Sequence, residues 1–394
     1  MSHPTVLISG AGIAGPTLAY WLARRGFRPT VVERGAALRS SGSPVDVRGP
    51  AVAVAEQMGL MPRLRDAATQ VSALSFIDGS GHEVGRVNLR ALQRASGSRE
   101  VELPRGDLAT ILYQASQDSA EFLFGDSITG LSQDAHGVDV TLGQAGARRF
   151  DLVIGADGLH SAVRRLAFGP ESDFVRHMGI FIATLPLERP LDDAREVILY
   201  NTPGRAISLH PSRGKALAAF MFRAPLEEGF DHRDTPQHKR LLTDAFSDDT
   251  WRVPELRRSI QATSELYFDS VSQVRLSQWA NGRIALLGDA ASCISLFGDG
   301  SSLAMAGAFT LAKALAAHPS DHRLAFRQYE ADHRTWVAPK QRNSTLAASL
   351  LVPATGYGIR ARNLATRLWP VAAAAGCLSR NLTDVRARVQ ECAG

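Results

Sequence analysis

Cysteine is nearly absent. The 394-residue chain has three, Cys293, Cys377 and Cys392, and no two of them form a Cys-x-x-Cys pair. That argues against a zinc ribbon or a disulfide framework and fits a reducing compartment, the cytoplasm. Long apolar runs are missing too. "LAASLLVPATGYGI" is broken by Pro353 and two glycines, and the apolar N-terminus "TVLISGAGIAG" carries neither a basic leader nor a small-residue cleavage site. Stable membrane insertion and a signal peptide are therefore not expected. Nor is there an excess of one charge: 44 basic against 39 acidic residues leave +5, spread along the chain. A solvated surface explains that balance better than a nucleic-acid footprint. No internal repeat or low-complexity linker divides the sequence.

What is present begins at Val6–Ser9, a short apolar run ending in glycine, the pattern of a strand buried on both faces. Pro16–Arg24 predicts a helix with Gly26 just past its end, and Thr30–Val32 a second strand with Glu33 at its tip. This is a βαβ opening. Between its first strand and its helix, Gly10, Gly12 and Gly15 form Gly-x-Gly-x-x-Gly, enclosing Ile13 and Ala14. The first glycine permits the turn, the second lets the backbone approach a pyrophosphate, and the third lets helix and strand pack closely. The helix N-terminus adds N–H groups and partial positive charge. Glu33, 23 residues after Gly10, stands where an acid meets a ribose hydroxyl. A ligand-free glycine turn would need none of this context. The motif alone does not separate NAD from FAD.

"GDAASCISLFGDGSS" (Gly288–Ser302) bears on that choice. Asp289 follows a buried strand pattern, "GRIALLGDAA", and residues from Leu303 onward read as a long helix. A flavin needs such a second site, because its ribityl chain and ring extend beyond the pyrophosphate. Asp289 suits ribityl hydroxyls. Backbone N–H groups of Gly300 and Ser301, at a helix start, suit the negative edge of a reduced ring. A plain turn between strand and helix is the alternative. A third motif, "GADGLHSAVR" (Gly155–Arg164), places Asp157 and Gly158 between a strand and a helix, where they shape a dinucleotide groove or merely cap a turn. Arg105 and Asp107 lie at the start of a predicted helix, "RGDLATILYQAS", with Asp107 available as a cap. "GVDVTL" suggests an antiparallel meander. From about Phe174 to Phe268, Pro- and Gly-separated strands predict a second lobe on an antiparallel sheet, interrupted by a polar stretch, Asp231–Lys239.

Together these residues resemble the class A, p-hydroxybenzoate hydroxylase-like flavoprotein monooxygenases, over nearly the whole chain. The tetracycline destructases and enzymes acting on aromatic polyketides look nearest, through "GIAGPTLAYWLARRGF", "PVDVRG" and "GSSLAMAGAFTLAKAL". The resemblance implies an α/β fold: a Rossmann-like, GR2-type FAD-binding domain interwoven with an antiparallel-sheet substrate domain, plus C-terminal helices. The FAD-binding parts would be 1–70, 100–172 and 275–340, the substrate parts 71–99 and 173–274, and the helical region 341–394. It implies bound FAD with Gly10, Gly12, Ile13, Ala14 and Gly15 at the pyrophosphate, Glu33 on the ribose, and Arg34, Arg105 and Asp157 nearby. Gly288, Asp289, Gly300, Ser301 and Ser302 would hold the ribityl and ring. Asp46 and Arg48 would lie close to the moving ring, and Arg48, Phe297 and Gly298 would serve the reacting site.

The resemblance further implies NAD(P)H as reductant, molecular oxygen activated as a flavin C4a-hydroperoxide, and hydroxylation of a phenolic or polycyclic aromatic small molecule, with no metal and no nucleic acid. The chain ends too early for the thioredoxin-like domain of some relatives, and a monomer or homodimer is expected. One departure stands out: the loop after Asp289 reads Ser292, Cys293, Ile294, Ser295, Leu296, without the family's prolines. Missing prolines loosen the loop, which motivates an alternative: an oxidase, dehydrogenase or reductase on a similar ring, without oxygen insertion. A silent flavin-binding protein is a third reading, against which the intact glycine loops and Asp289 count. A Cys293 thiol–flavin adduct competes with a small buried hydrophobe. For the substrate, His210, Arg213, Met221 and Phe222 are candidates. Alternation puts Phe220 and Phe222 on one strand face, Ala219 and Met221 on the other, and leaves open which meets the flavin. The basic tail Arg360–Arg367 fits a helix laid across both lobes better than a membrane anchor.

Overall fold

The structure is a computed structural model that describes residues 3–38, 43–91, 99–211, 216–294 and 299–366. Thr5–Ser9 (β1), buried from Val6 onward, sits at the centre of a six-stranded sheet. It runs parallel to Arg28–Glu33 (β2) on one side and to Leu152–Gly155 on the other. Beyond these lie Glu121–Phe124, Ile284–Leu286 and, antiparallel at the edge, Ala280–Asn281. Apolar runs with no alternation are what a sheet covered on both faces requires. Ala14–Ala23 (α1) crosses from β1 to β2 and packs on Asp299–Ala317 and Arg105–Ser116. Trp21 meets Phe309 edge-to-face at 4.8 Å between ring centroids. The meander reads out as Ile128–Gln133, Val138–Leu142 and Gly146–Phe150, all antiparallel.

The second sheet has seven strands, and their order interleaves distant segments: Tyr267–Val274, Val175–Pro186, Leu217–Arg223, Arg205–His210, Glu196–Thr202, Ala73–Ile77 and Glu83–Asn88. All neighbours are antiparallel except Glu196–Thr202 with Ala73–Ile77. Thr235–Ala245 and Val253–Ala262 cover one face. Their Leu242, Phe246, Val253, Leu256 and Ile260 join Phe181, Ile207, Phe220 and Phe222 in one buried cluster. These helices lie in and after the stretch read from sequence only as polar. On the other face Met221, Ala206 and Val271 pack on Ala348 and Val352 at the end of His322–Leu351.

That long helix ties the two sheets together. Tyr329 Oη donates to Leu286 O at 3.2 Å near one end, and Ala348 and Val352 meet the second sheet near the other. Residues 356–366 are helical again. The helix Asp299–Ala317 is apolar and long enough to cross a membrane, but two thirds of it is buried inside the protein, which makes it a core helix.

Candidate active site

At the end of β1 the chain turns through Gly10 at φ +102°, a left-handed conformation natural to glycine, and a Cβ there would lie 2.5 Å from Ala156 O. A Cβ on Gly15 would lie 1.9 Å from Gly10 O. Both positions are closed by the protein itself. Gly12 differs: a Cβ would meet nothing within 4 Å, so its bareness leaves open space beside the start of α1, where Ile13 precedes Ala14 and Gly15. Glu33, at the end of β2, accepts from Ala11 N at 2.9 Å through Oε2 and from Gly35 N at 2.8 Å through Oε1. The carboxylate is thereby fixed against the glycine turn, and each oxygen keeps a lone pair for a diol. Arg34 beside it is exposed.

The second Gly-Asp is joined to the same sheet. Leu287 N donates to Gly155 O at 2.8 Å, Gly288 turns at φ +62°, and Asp289 opens a short helix, Asp289–Ser292. Arg164, fully buried, donates from Nη1 to Ala290 O at 3.1 Å and so binds the Gly155–Arg164 motif to this turn. Burial pushes the Asp289 carboxyl above its ordinary range, against the pull of Arg105 and of a hydrogen bond from the Cys293 thiol. Cys293 itself is buried in the main core. Arg105, at the exposed first position of its helix, contributes positive charge that acts on Asp289. Pro104 occupies that helix's N-cap and Asp107 makes no capping bond, which corrects the expectation placed on Asp107. Asp157 accepts from Ser161 Oγ and from the N–H groups of Ala162 and Val163 at 2.9 and 3.1 Å. Those bonds engage it at the following helix start.

The strand Val45–Val47 is clamped to the start of Asp299–Ala317. Ser301 Oγ and Ser302 Oγ donate to Asp46 O at 2.7 and 2.8 Å, and Arg48 N donates to Ser302 Oγ at 2.9 Å. Arg48 pairs with Asp299 at 2.8 Å and with Asp46 at 3.3 Å, and Lys340 Nζ lies 2.8 Å from the same Asp299 oxygen. Burial, only partly countered by Arg48, pushes the Asp46 carboxyl up to about 6. Gly300 adjoins Asp289: a Cβ on it would lie 3.6 Å from Asp289 Oδ1. Phe297, Gly298 and Arg213 lie outside the described residues.

Register decides the substrate side. Residues directly opposite in a ladder share a face. Met221 stands opposite Ala206 and Ile182, Ile182 opposite Asp269, and Thr184 opposite Tyr267. His210, even-numbered like Ala206 on the same strand, falls on this face, so His210, Met221, Asp269 and Tyr267 share it. Phe222 points the other way, into the cluster with Phe181, Phe246 and Phe268, and is not brought together with them. At one end of this face Tyr267 lies within electrostatic reach of Arg105, Asp289 and Cys293, while Met221 packs on Ala348 and Val352. Burial holds His210 down to about 4, hence neutral, and its Nε2 meets Ser208 Oγ at 2.9 Å. Tyr267 and Asp269 were missed by sequence reading, since only strand pairing puts them on this face. His160, named within the third motif but given no role, bridges Glu171 at 2.9 Å and Asp269 at 3.1 Å.

An open cradle at Gly12, a fixed acid at Glu33 and a second backbone site at Gly288–Asp289 fit a dinucleotide that continues into a ring. These features define a two-lobed flavoprotein. The chain matches the FAD binding domain family over residues 3–338 and belongs to it. An uncharacterised protein of Mycobacterium tuberculosis (strain ATCC 25618 / H37Rv) is 40% identical over 341 residues, covering 86% of this chain and 91% of the relative. A flavin-dependent monooxygenase of Legionella longbeachae serogroup 1 (strain NSW150) is 33% identical over 347 residues, covering 86% and 87%. Among solved structures, tetracycline destructase Tet(51) superposes with a TM-score of 0.80 at 31% identity, covering 92% of this chain and 95% of that one. The protein is an FAD-dependent monooxygenase, an oxidoreductase with a Rossmann-like α/β fold.

Proposed function

We propose that this monooxygenase hydroxylates a phenolic or polycyclic aromatic small molecule of the antibiotic or polyketide kind, with NAD(P)H as reductant. The observation that carries the reading is the face of the second sheet shared by Met221, His210 and Tyr267, of which Tyr267 lies within electrostatic reach of Asp289. An apolar wall with a few polar groups opposite a ring site is what an aromatic substrate needs. The likeness to a tetracycline destructase supports the same substrate class. The balance is one aromatic C–H, one O2, one NAD(P)H and one proton giving the hydroxylated ring, NAD(P)+ and water. Bound FAD supplies the redox chemistry and the oxygen activation.

The chain's own residues bind, orient and exclude water. Gly12 and the start of α1 receive the pyrophosphate, Glu33 the ribose, and Asp289 the ribityl hydroxyls, with Arg34, Arg105 and Asp157 around them. The first turn of Asp299–Ala317, through Gly300, Ser301 and Ser302, faces the ring's negative edge. Arg48, held by Asp46 and Asp299, fixes the strand beside it. Neutral His210 accepts or donates one hydrogen bond at a substrate hydroxyl. On this reading the cofactor domain comprises 1–70, 100–172 and 275–340, and the substrate domain 71–99 and 173–274.

The test is mass spectrometry of products from an aromatic polyketide panel with NAD(P)H under labelled oxygen. One labelled oxygen atom in the product is expected. Turnover that leaves no label would overturn the reading in favour of an oxidase, dehydrogenase or reductase.

A further inference from the structure

A cavity of about 380 Å³ lies between the second sheet and the far end of the helix His322–Leu351. Arg176, Arg223, Arg275, His177, Gln273 and Met178 line its sheet side, and no lining residue is a carboxylate. Among the described residues none of the three arginines has a salt-bridge partner. Two of them are nevertheless held in place. Gln273 Oε1 accepts from Arg275 Nε at 2.9 Å, while its Nε2 is fixed by Gln341 O at 2.8 Å and by Ser344 Oγ. Arg223 Nε donates to Val352 O at 2.7 Å at the helix end. His177 Nε2 is bonded to Ala224 O at 3.0 Å, leaving a buried Nδ1 without a partner among the described residues. Three guanidinium groups around one space, with no acid to neutralise them, call for a negatively charged ligand.

The cavity borders the strand end that pairs with the segment after Asp289. Gln273 bridges to Ile294, and Val274 N donates to Cys293 O at 3.3 Å. The Cys293 thiol in turn bonds Asp289. The segment Ala290–Ile294 thus stands between Asp289 and the strand that carries Gln273 and Arg275. The volume is that of a small-molecule pocket.

We infer that this cavity binds the oxyanion of an acidic aromatic substrate, a carboxylate or an ionised enol or phenol, through Arg176, Arg275 and Arg223. The inference rests on the hydroxylase reading and narrows it: the favoured substrate is an anion at neutral pH.

The test uses the FAD-loaded full chain and a matched pair of probes, 1-naphthoate and 1-naphthamide. Binding is followed by the flavin absorbance change and by thermal shift. The acid is expected to bind about tenfold more tightly than the amide, since a charge-assisted hydrogen bond is worth roughly a decade in affinity. Arg176→Gln, at an exposed side chain with no bond to lose, and Arg275→Gln should together reduce that ratio to near one. Equal binding of acid and amide, no binding of either, or an undiminished preference for the acid in Arg176→Gln would each overturn the inference. Failure of the hydroxylase reading looks different: naphthoate would still bind in an arginine-dependent way, and no oxygen label would enter any product.

Discussion

Arg48 and Asp299 stand 251 positions apart in the chain and meet through two hydrogen bonds, Nε at 2.9 Å and Nη2 at 2.8 Å, on one carboxylate oxygen. Lys340 Nζ reaches that oxygen as well, at 2.8 Å. A short strand near the N-terminus, the start of a central helix and the long helix thus converge on one half-buried acid. Removing it leaves Arg48 with Asp46 at 3.3 Å as its carboxylate partner and takes from Lys340 the acid that it meets. Asp299→Ala is expected to cost about 2–3 kcal/mol of stability. It should weaken FAD at least about tenfold, because the helix start would no longer be held against the strand. Flavin fluorescence titration together with thermal unfolding reads both effects. Undiminished FAD affinity would separate the clamp from the cofactor.

Asp46 makes the same region sensitive to pH. Burial raises its folded-state value to about 6, above the ordinary 3.8. The folded protein therefore holds a proton that the unfolded chain releases, and stability falls as pH rises through that window. Two units correspond to about 3 kcal/mol at most, and solvent access to the side chain lowers this to about 1–2 kcal/mol. Asp46→Asn should therefore melt higher than the parent at pH 7.5, with the difference vanishing toward pH 4. A constant difference across that range would show that Asp46 ionises normally.

How much of this could be read beforehand depended on distance along the chain. The turn at Gly10–Gly15 and Glu33 was legible because β1, α1 and β2 are consecutive, so spacing alone fixes their relation. Asp289 was legible from its strand and glycine. Tyr267 and Asp269 were not, because their direction depends on pairing with Val175–Pro186, itself shifted by an irregularity between His177 and Phe181. Thr235–Ala245 was passed over as polar although its signals were present: Pro236 in the first turn and Asp234 accepting from Gln237 N at 2.9 Å. Phe222 and Met221 were correctly put on opposite faces, yet only the helices on one side decide which face is covered.

His160 joins the lobes through charge. It lies between Glu171 at 2.9 Å and Asp269 on the second sheet at 3.1 Å, and stacks on His232 at 3.7 Å between ring centroids. Burial opposes its charge, but the two carboxylates prevail and raise it to about 9. Its contribution is complete below the ordinary value near 6.5 and is lost as pH climbs through about 9. The parent should thus lose melting temperature between pH 7 and 10. His160→Gln should be less stable by about 2 kcal/mol at pH 7 and nearly flat over that span. Parallel curves for the two proteins would deny the imidazolium its role.

Gly12 and Gly15 test the cradle most sharply, because one motif assigns them different tasks. A methyl group on Gly15 would collide with Gly10 O at 1.9 Å, a backbone atom that moves only if α1 moves off β1. Gly15→Ala is therefore expected to destabilise the whole protein by about 3 kcal/mol or more, with or without FAD. A methyl group on Gly12 meets nothing within 4 Å of protein. Gly12→Ala should fold with a melting temperature close to that of the parent apoprotein, yet bind FAD at least about tenfold more weakly, since the methyl group fills space left for the pyrophosphate. Thermal unfolding of the apoproteins and flavin titration of both variants separate the two effects. Equal losses of stability, or full FAD affinity in Gly12→Ala, would mean that the open space beside α1 is not where the phosphates lie.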